Sequence, residues 1–197
     1  MRKIFPILFV TLIIFTGASY AQDSPRVVAE KYLDAVRNND YDTAYSFISK
    51  TDTTIIDWLA LLKYIKKITP PKLTKVIDLA HRAVRQEIVS TAVGNNTAIV
   101  KIHSRVPDME ETFKITQNLE DIKSLLNRGG LPMKERLGEC TLVVEDGAWK
   151  ISRIKGISSD QAAELATDFA ELILGKDEAR RISREISEFT NKREKGV

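Results

Sequence analysis

The chain has 197 residues, of which 43% are hydrophobic, and its 30 Lys and Arg are nearly balanced by 27 Asp and Glu. This balance argues against nucleic acid as the main partner, because such binding depends on an excess of cationic side chains that neutralise phosphates. The length favours one domain with a core of its own, followed by a tail.

The N-terminus has the pattern of an export signal. Two basic residues precede an apolar run over residues 4–15, and small residues follow up to Ala21. This order predicts a secretory signal peptide over residues 1–21, cleaved before Gln22. A membrane anchor is the alternative, but about 12 apolar residues are fewer than the roughly 20 that span a bilayer as a helix. We therefore expect a soluble periplasmic or secreted protein with no transmembrane segment in the mature chain.

Loss of this signal leaves 28 Lys and Arg against 27 Asp and Glu, a net charge of +1. Cys140 is the only cysteine, so no internal disulfide can form in an oxidising compartment. We expect it to be a small buried strand residue, with a reactive thiol as the alternative.

Helical patterns fill the first part of the mature chain. Ser24 and Pro25 are suited to cap and begin a first helix, which ends near residues 38–39. Asp40 can cap a second, short helix.

A third helix is predicted from Thr54, with Asp57 as its capping-box partner, to the residue before Pro70. It is apolar on most of its circumference, which is more than one packed face requires. Residues 73–80 add a helical turn or two.

The periodicity then changes from helical to alternating. Residues 83–93 and 97–106 are predicted strands joined by a Gly-Asn-Asn turn, and residues 111–116 are a candidate third strand. Helical spacing returns over 117–128, within an insertion of about 117–138.

A hairpin and two helices end the chain. Asp146-Gly147 lies between two β-rich runs and predicts a two-residue turn in which both residues have positive φ. Helical patterns over 162–173 and after a predicted cap at Asp177 form a C-terminal extension, residues 158–197.

Two segments of the sequence carry a resemblance to a known family: residues 25–49 (PRVVAEKYLDAVRNNDYDTAYSFIS) and residues 144–151 (VEDGAWKI). The first is similar to the opening helices, and the second to the closing hairpin, of the nuclear transport factor two-like (cystatin-like cone) superfamily, in its exported bacterial branch. The resemblance implies an α+β fold over 22–157, in which N-terminal helices pack on a strongly curved antiparallel sheet. The resemblance also implies a pocket at the open end of this cone.

The same fold serves isomerases, dehydratases, transport factors and binding domains, so the resemblance does not assign a function. The insertion and the C-terminal extension depart from the family pattern, and either could cover the mouth of the pocket. No catalytic residue of the steroid isomerase branch can be placed in this sequence.

Three short motifs have simpler explanations than the functions they suggest. Ser152 and Lys155 match the Ser-x-x-Lys motif of penicillin-recognising enzymes, but they lie in a predicted strand. Residues 38–42 lack the Gly and distal Glu of a calcium loop. Asn95 begins a glycosylation sequon that is also a good hairpin turn.

The two histidines, His81 and His103, lie on different predicted elements. Without cysteine or a placed carboxylate they predict no metal site, and no motif indicates a cofactor. His103 shares a strand face with Lys101 and Arg105. That face is either a cationic wall of the pocket, suited to an anionic or polar head group, or a solvated surface.

The third helix carries the main candidates for a binding site. Its large side chains Trp58, Leu62 and Tyr64 can pack in the core, line a pocket, or contact a membrane surface. With Tyr32 and His103 they form the predicted ligand-binding set.

The leading hypothesis is an exported, non-enzymatic module that binds a small apolar or amphipathic ligand, or a protein partner through its C-terminal helices. The alternative is a pocket enzyme of the isomerase or dehydratase type, with a carboxylate or His as general base. Only the enzyme needs a titratable group with a shifted pKa inside the pocket.

Overall fold

The computed structural model describes residues 23–156 and 159–194, so the predicted signal peptide lies outside the described residues. Its elements are α1 (Pro25–Arg37), α2 (Tyr41–Ser46), α3 (Thr53–Ile68), α4 (Pro71–Ala83), β1 (Arg85–Val93), β2 (Thr97–Pro107), α5 (Met109–Ile115), α6 (Leu119–Asn127), β3 (Met133–Glu145), β4 (Ala148–Lys155), α7 (Ser159–Leu174) and α8 (Lys176–Glu194). Within these two ranges, every helix is too short or too polar to cross a membrane.

The four strands form one antiparallel sheet in the order β1-β2-β3-β4. The pairing shifts between Ile88 and Ser90 in β1 and between Thr141 and Leu142 in β3. Such bulges bend a strand and increase its twist, which curves the sheet. Helices α1 to α3 pack on the inner face, and the predicted α+β fold with a curved antiparallel sheet is confirmed.

Both hairpin turns form where the sequence predicts them. Asp146 and Gly147 have φ values of 53° and 75°, as a two-residue turn of this type requires. In the β1–β2 hairpin, the backbone N–H of Gly94 donates to the carbonyl of Thr97 at 2.8 Å.

The N-terminal caps explain where the first helices begin. The Ser24 side chain accepts a hydrogen bond from the Val27 N–H, and Asp40 caps α2 by accepting one from Thr43. Both caps are as predicted. The predicted start of α3 is wrong, because Asp52 caps it and the helix begins at Thr53. Asp57 instead forms an ion pair with Arg193.

Three further predictions need correction. Residues 111–116 are not a strand, because Asp108 caps the short helix α5, which buries Met109, Thr112 and Phe113 at helical spacing. The weak helical signal at 73–80 belongs to the full helix α4. Asp177 lies in the first turn of α8 and is not its cap.

The helix predicted over 117–128 forms as α6, which ends at Asn127. The insertion ends earlier than the expected residue 138, because β3 begins at Met133. The positive φ of 69° at Gly129 marks the end of the helix.

Two hydrophobic cores share helix α3. The sheet core lies between the inner face of the sheet and α1 to α3, and it includes Ile55 and Leu59 of α3. The helical core joins α3 to α8 through side chains of α4 to α7, and it includes Leu61 and Ile65. A helix between two cores needs apolar side chains on more than one face, which accounts for the apolar circumference of α3.

Specific contacts join α8 to α3. The rings of Tyr64 and Phe189 stack with centroids 4.3 Å apart, and an Arg193 guanidinium N–H donates to Asp57 at 2.6 Å. Arg181 donates to the carbonyl of Ile68 at 3.2 Å. The C-terminal extension is therefore docked along much of α3.

Cys140 lies in β3 and has no exposed surface, so the prediction of a small buried strand residue is confirmed. Burial raises the pKa of its thiol to about 12, and the charge of Glu139 adds to the shift.

Candidate functional site

A cavity of about 300 Å³ lies where α3, α4 and α7 meet, at the junction of the two cores. Most of its wall is apolar, and the large side chains in that wall are Trp58, Leu62, Ile65, Ile77, Leu165 and Phe169. Its volume is at the lower end of the range for small-molecule sites, and a mostly apolar wall is typical of them.

Helix α7 both covers and completes this cavity. Ala166 and Ala170 are buried in the helical core, and Ala162, Leu165, Ala166 and Phe169 line the cavity. Phe169 is held edge-on against Phe113, with centroids 5.7 Å apart. The C-terminal extension therefore occupies part of the apolar surface of α3 and leaves a space beside it.

One end of the cavity is polar, and four side chains meet there. The Asn39 amide nitrogen donates to an Asp78 carboxylate oxygen at 3.2 Å, and the Tyr41 hydroxyl donates to the Asn39 amide oxygen at 2.9 Å. The ring nitrogen Nδ1 of His81 lies 3.0 Å from the same amide oxygen. We call Asn39, Tyr41, Asp78 and His81 the polar cluster.

The end of α1 explains how Asn39 comes to this position. Its backbone N–H bonds to the carbonyl of Val36, and the N–H of Asp40 bonds to that of Ala35. This pair of bonds is a Schellman cap, whose turning residue needs a positive φ, and Asn39 has 56°. Asn is among the few residues other than Gly that adopt it readily, and its side chain remains available to the cluster.

Helix α4 supplies the other half of the cluster. Asp78 and His81 are three residues apart, so they share one face of the helix. Pro70 and Pro71 turn the chain directly from α3 into α4, which brings that face against the end of α1.

Burial governs the protonation of this cluster. It lowers the pKa of His81, with Asp78 opposing the shift and Lys66 adding to it. It raises the pKa of Tyr41 to about 12, with a further contribution from the charge of Asp78. At neutral pH the imidazole and the phenol are therefore both uncharged.

Two cations lie on the wall of the cavity. Lys66 of α3 and Arg136 of β3 both have exposed side chains and line it. Neither forms an ion pair with any residue of the described ranges. Their charges give the mouth a positive potential, which attracts anionic groups.

The structure brings together two of the five predicted site residues, Trp58 and Leu62, in the cavity wall. Tyr32 lies in the sheet core, where its buried hydroxyl has no hydrogen-bond partner among the described residues and burial raises its pKa. Tyr64 stacks on Phe189. The rings of Trp58 and Tyr64 thus have different neighbours, which does not favour a shared membrane-binding surface.

His103 lies on the outer face of the sheet, because it alternates with the buried residues of β2. It contacts Glu87 at 3.3 Å and Glu135 at 3.4 Å, and Arg105 also approaches Glu135. This surface has mixed charge and faces solvent, so it is not a cationic wall of the cavity described above.

The polar cluster was absent from the predicted site set. Its members come from two segments about 40 residues apart, and no local pattern connects these segments. The spacing of Asp78 and His81 was the available signal, but it has meaning only once α4 is recognised as a full helix. Among the described residues no three His, Cys, Asp or Glu side chains group as a metal site would require.

No family model matches this sequence, and no curated protein matches it. Solved structures are similar to it in part, and three of them illustrate the extent. One is a SEC-C motif containing protein from Rhodopseudomonas palustris, with 11% identity, a TM-score of 0.38, and coverage of 68% of this chain and 80% of that one.

The second is an NTF-2 like protein of unknown function from Shewanella oneidensis MR-1, with 11% identity, a TM-score of 0.40, and coverage of 64% and 90%. The third is a protein of unknown function from Mycobacterium tuberculosis, with 13% identity, a TM-score of 0.33, and coverage of 81% and 86%. Similarities of this size assign neither a family nor a function.

Proposed function

We propose that the protein is an exported, non-enzymatic member of the nuclear transport factor two-like superfamily that binds a small amphipathic ligand in the cavity between α3, α4 and α7. The observation that carries the proposal is the composition of this cavity. An apolar wall containing Trp58, Leu62 and Phe169 leads to one polar cluster. Sites for small molecules commonly combine a large apolar surface with a few placed polar groups.

The export part of the proposal rests on the signal pattern in residues 1–21. The mature protein is expected to begin at Gln22 and to occur in the soluble extracytoplasmic fraction. Mass spectrometry of the intact exported protein tests this, and a mass that includes residues 1–21 would contradict it.

Ligand binding can be followed at Trp58 itself. The chain has two tryptophans, and the second, Trp149, packs against the sheet core. The Trp149→Phe variant therefore leaves Trp58 as the only indole, and its emission reports on the cavity. We expect 1-octanol to shift this emission saturably, and an environment-sensitive apolar dye to bind the native protein and be displaced by the alcohol.

The Trp58→Ala variant should weaken dye binding by about tenfold, because it removes a large apolar surface from the wall. Its circular dichroism should match that of the parent protein, which separates a local loss from unfolding. Dye binding that begins only when the protein unfolds would contradict the proposed ligand site and leave a protein-interaction module as the function.

One observation favours the alternative of a pocket enzyme with a general base. His81 is a titratable group with a shifted pKa, and it lines the cavity. A carbonyl compound with an acidic α-hydrogen distinguishes the two functions. An enzyme would catalyse exchange of that hydrogen with solvent deuterium, and would lose this activity in His81→Leu, whereas a binder would give no exchange above background.

A further inference from the structure

The polar cluster determines which hydrogen bond His81 can offer to a ligand. The carboxylate of Asp78 has only acceptor atoms, so the Asn39 group that faces it must be the NH₂. The amide oxygen of Asn39 therefore faces Tyr41 and His81. An amide oxygen can only accept, which requires the Nδ1 atom of His81 to carry a hydrogen and donate it.

A neutral imidazole with its hydrogen on Nδ1 has a free lone pair on Nε2. Within residues 23–156 and 159–194, no group donates to this atom. A polar atom without a hydrogen-bond partner is either buried and unsatisfied or accessible. Among the described side chains the buried and unsatisfied atoms are the Tyr32 and Thr91 hydroxyls, so Nε2 of His81 is accessible. His81 itself lines the cavity.

We propose that Nε2 of His81 accepts a hydrogen bond from a hydroxyl group of the ligand, so that the site selects apolar molecules with a hydroxyl at one end. This inference rests on the ligand-binding function proposed above. The apolar part of such a molecule would lie along Trp58, Leu62 and Phe169. Asn39 is a positioning residue, because it holds the ring hydrogen on Nδ1.

The charges around His81 favour a hydroxyl over a carboxylate at this end. Asp78, on the same helix, would repel an anion placed beside the ring. Tyr41 and Asn39, from the turn after α1, use their polar atoms within the cluster. The cations of the wall, Lys66 on α3 and Arg136 on β3, have exposed side chains where water screens their charge.

Acid should remove this selectivity. A protonated imidazole has a hydrogen on both nitrogens, so Nε2 would donate and could no longer accept. A hydroxyl ligand would then accept from Nε2 with its oxygen, and a ketone, which can only accept, would gain the same hydrogen bond, so the two should bind about equally. The burial that lowers the pKa of His81 keeps the accepting form present at neutral pH.

The test compares three probes of equal chain length by titration calorimetry: 1-octanol, 2-octanone and octanoate. At about pH 7.5 we expect 1-octanol to bind roughly three- to tenfold more tightly than 2-octanone, the range of one neutral hydrogen bond. This ratio should fall toward one as the pH is lowered through the pKa of His81.

Two variants test whether the preference for the alcohol comes from His81 and from its positioning by Asn39. In His81→Leu the alcohol and the ketone should bind equally at every pH. In Asn39→Gly, which keeps the positive φ of the cap but removes the amide, the preference should shrink. The matched control is His103→Leu on the outer face of the sheet, which should keep both the preference and its pH dependence.

The outcomes separate the two proposals. Equal binding of 1-octanol and 2-octanone to the parent protein would overturn the role of His81 while leaving the ligand site intact. Tightest binding of octanoate would overturn it in favour of an anion held by Lys66 and Arg136. Binding of none of the three would overturn both proposals. If His81→Leu fails to fold, the pH dependence of the probe ratio in the parent protein decides.

Discussion

The two hydrophobic cores differ in how they are built. The sheet core is organised by three antiparallel strand pairings, and its side chains come from alternate positions of each strand, such as Val100 and Ile102. The helical core has no such ladder. It gathers one to three buried side chains from each of the helices α3 to α8, including Phe113 of α5 and Ile122 of α6.

This difference explains where the cavity lies. Strands in a ladder keep neighbouring side chains in register, so the sheet core closes tightly. Helices joined by short loops cross one another at an angle, and their side chains must fill the space between them. At the junction of the two cores, Trp58 and Leu62 pack partly against the sheet core, and Ile65 belongs to the helical core. The cavity is the space between them.

The largest effect is expected from Leu142→Ala in β3, which removes a fully buried side chain from the sheet core. The variant should lower the free energy of unfolding by about 2–5 kcal/mol, since the lost contacts leave a cavity. Urea denaturation measures this loss. The control, Leu137→Ala, lies in the same strand with 84% of its surface exposed and should change stability by less than about 0.5 kcal/mol.

The next effect tests the turn that joins β3 and β4. Gly147→Val should cost about 1–2 kcal/mol, because a side chain at its φ of 75° is strained even though no other atom lies within 4 Å of the added Cβ. Gly147→Asn, which tolerates this backbone conformation, should cost less. Thermal unfolding compares the two variants, and equal melting temperatures would mean that the turn does not limit the stability of the sheet.

A smaller effect is expected in the helical region. Phe189→Leu keeps an apolar side chain but loses the ring stacked on Tyr64, which should cost about 0.5–1.5 kcal/mol. Phe189→Tyr keeps the ring and serves as the control. If unfolding of Phe189→Leu is seen by circular dichroism before Trp149 fluorescence changes, then the helical region opens independently of the sheet.

The smallest effect concerns pH. The pKa of His81 is lower in the folded protein than in the unfolded chain, so the unfolded state binds more protons below about pH 6.5. The contribution of neutral His81 to the free energy of unfolding is fully present above this pH. It is lost as the pH falls through the pKa that His81 has in the folded protein. Urea midpoints at two pH values should show a smaller acid loss in His81→Gln than in the parent protein, with His103→Gln as the control.

The sheet could be predicted from the sequence because its signals are local. Alternation over residues 97–106 and the Asp146-Gly147 pair each specify structure within about ten residues, and both predictions were confirmed. The short helix α5 was predicted as a strand because seven residues show less than two full helical turns. Only its burial at Met109, Thr112 and Phe113 reveals the period.

The candidate site could be predicted only in its apolar part. The surplus of apolar residues on α3 indicated that Trp58 and Leu62 contact something beyond one core, and they line the cavity. Tyr64 belongs to the same surplus but is covered by Phe189, and no local pattern distinguishes the two cases. The polar cluster depends on how α4 packs against the end of α1, which is tertiary information.

The single cysteine, Cys140, can report on local opening of the sheet core. Thiol reagents attack the thiolate, and Cys140 is both fully buried and shifted to a pKa of about 12. Its labelling rate under native conditions therefore measures how often β3 separates from the sheet. Amide hydrogen exchange gives the same information for a single backbone position. Because the helical region contains no cysteine, an increase in that rate after a change in α7 or α8 would measure how strongly one part of the molecule restrains the other.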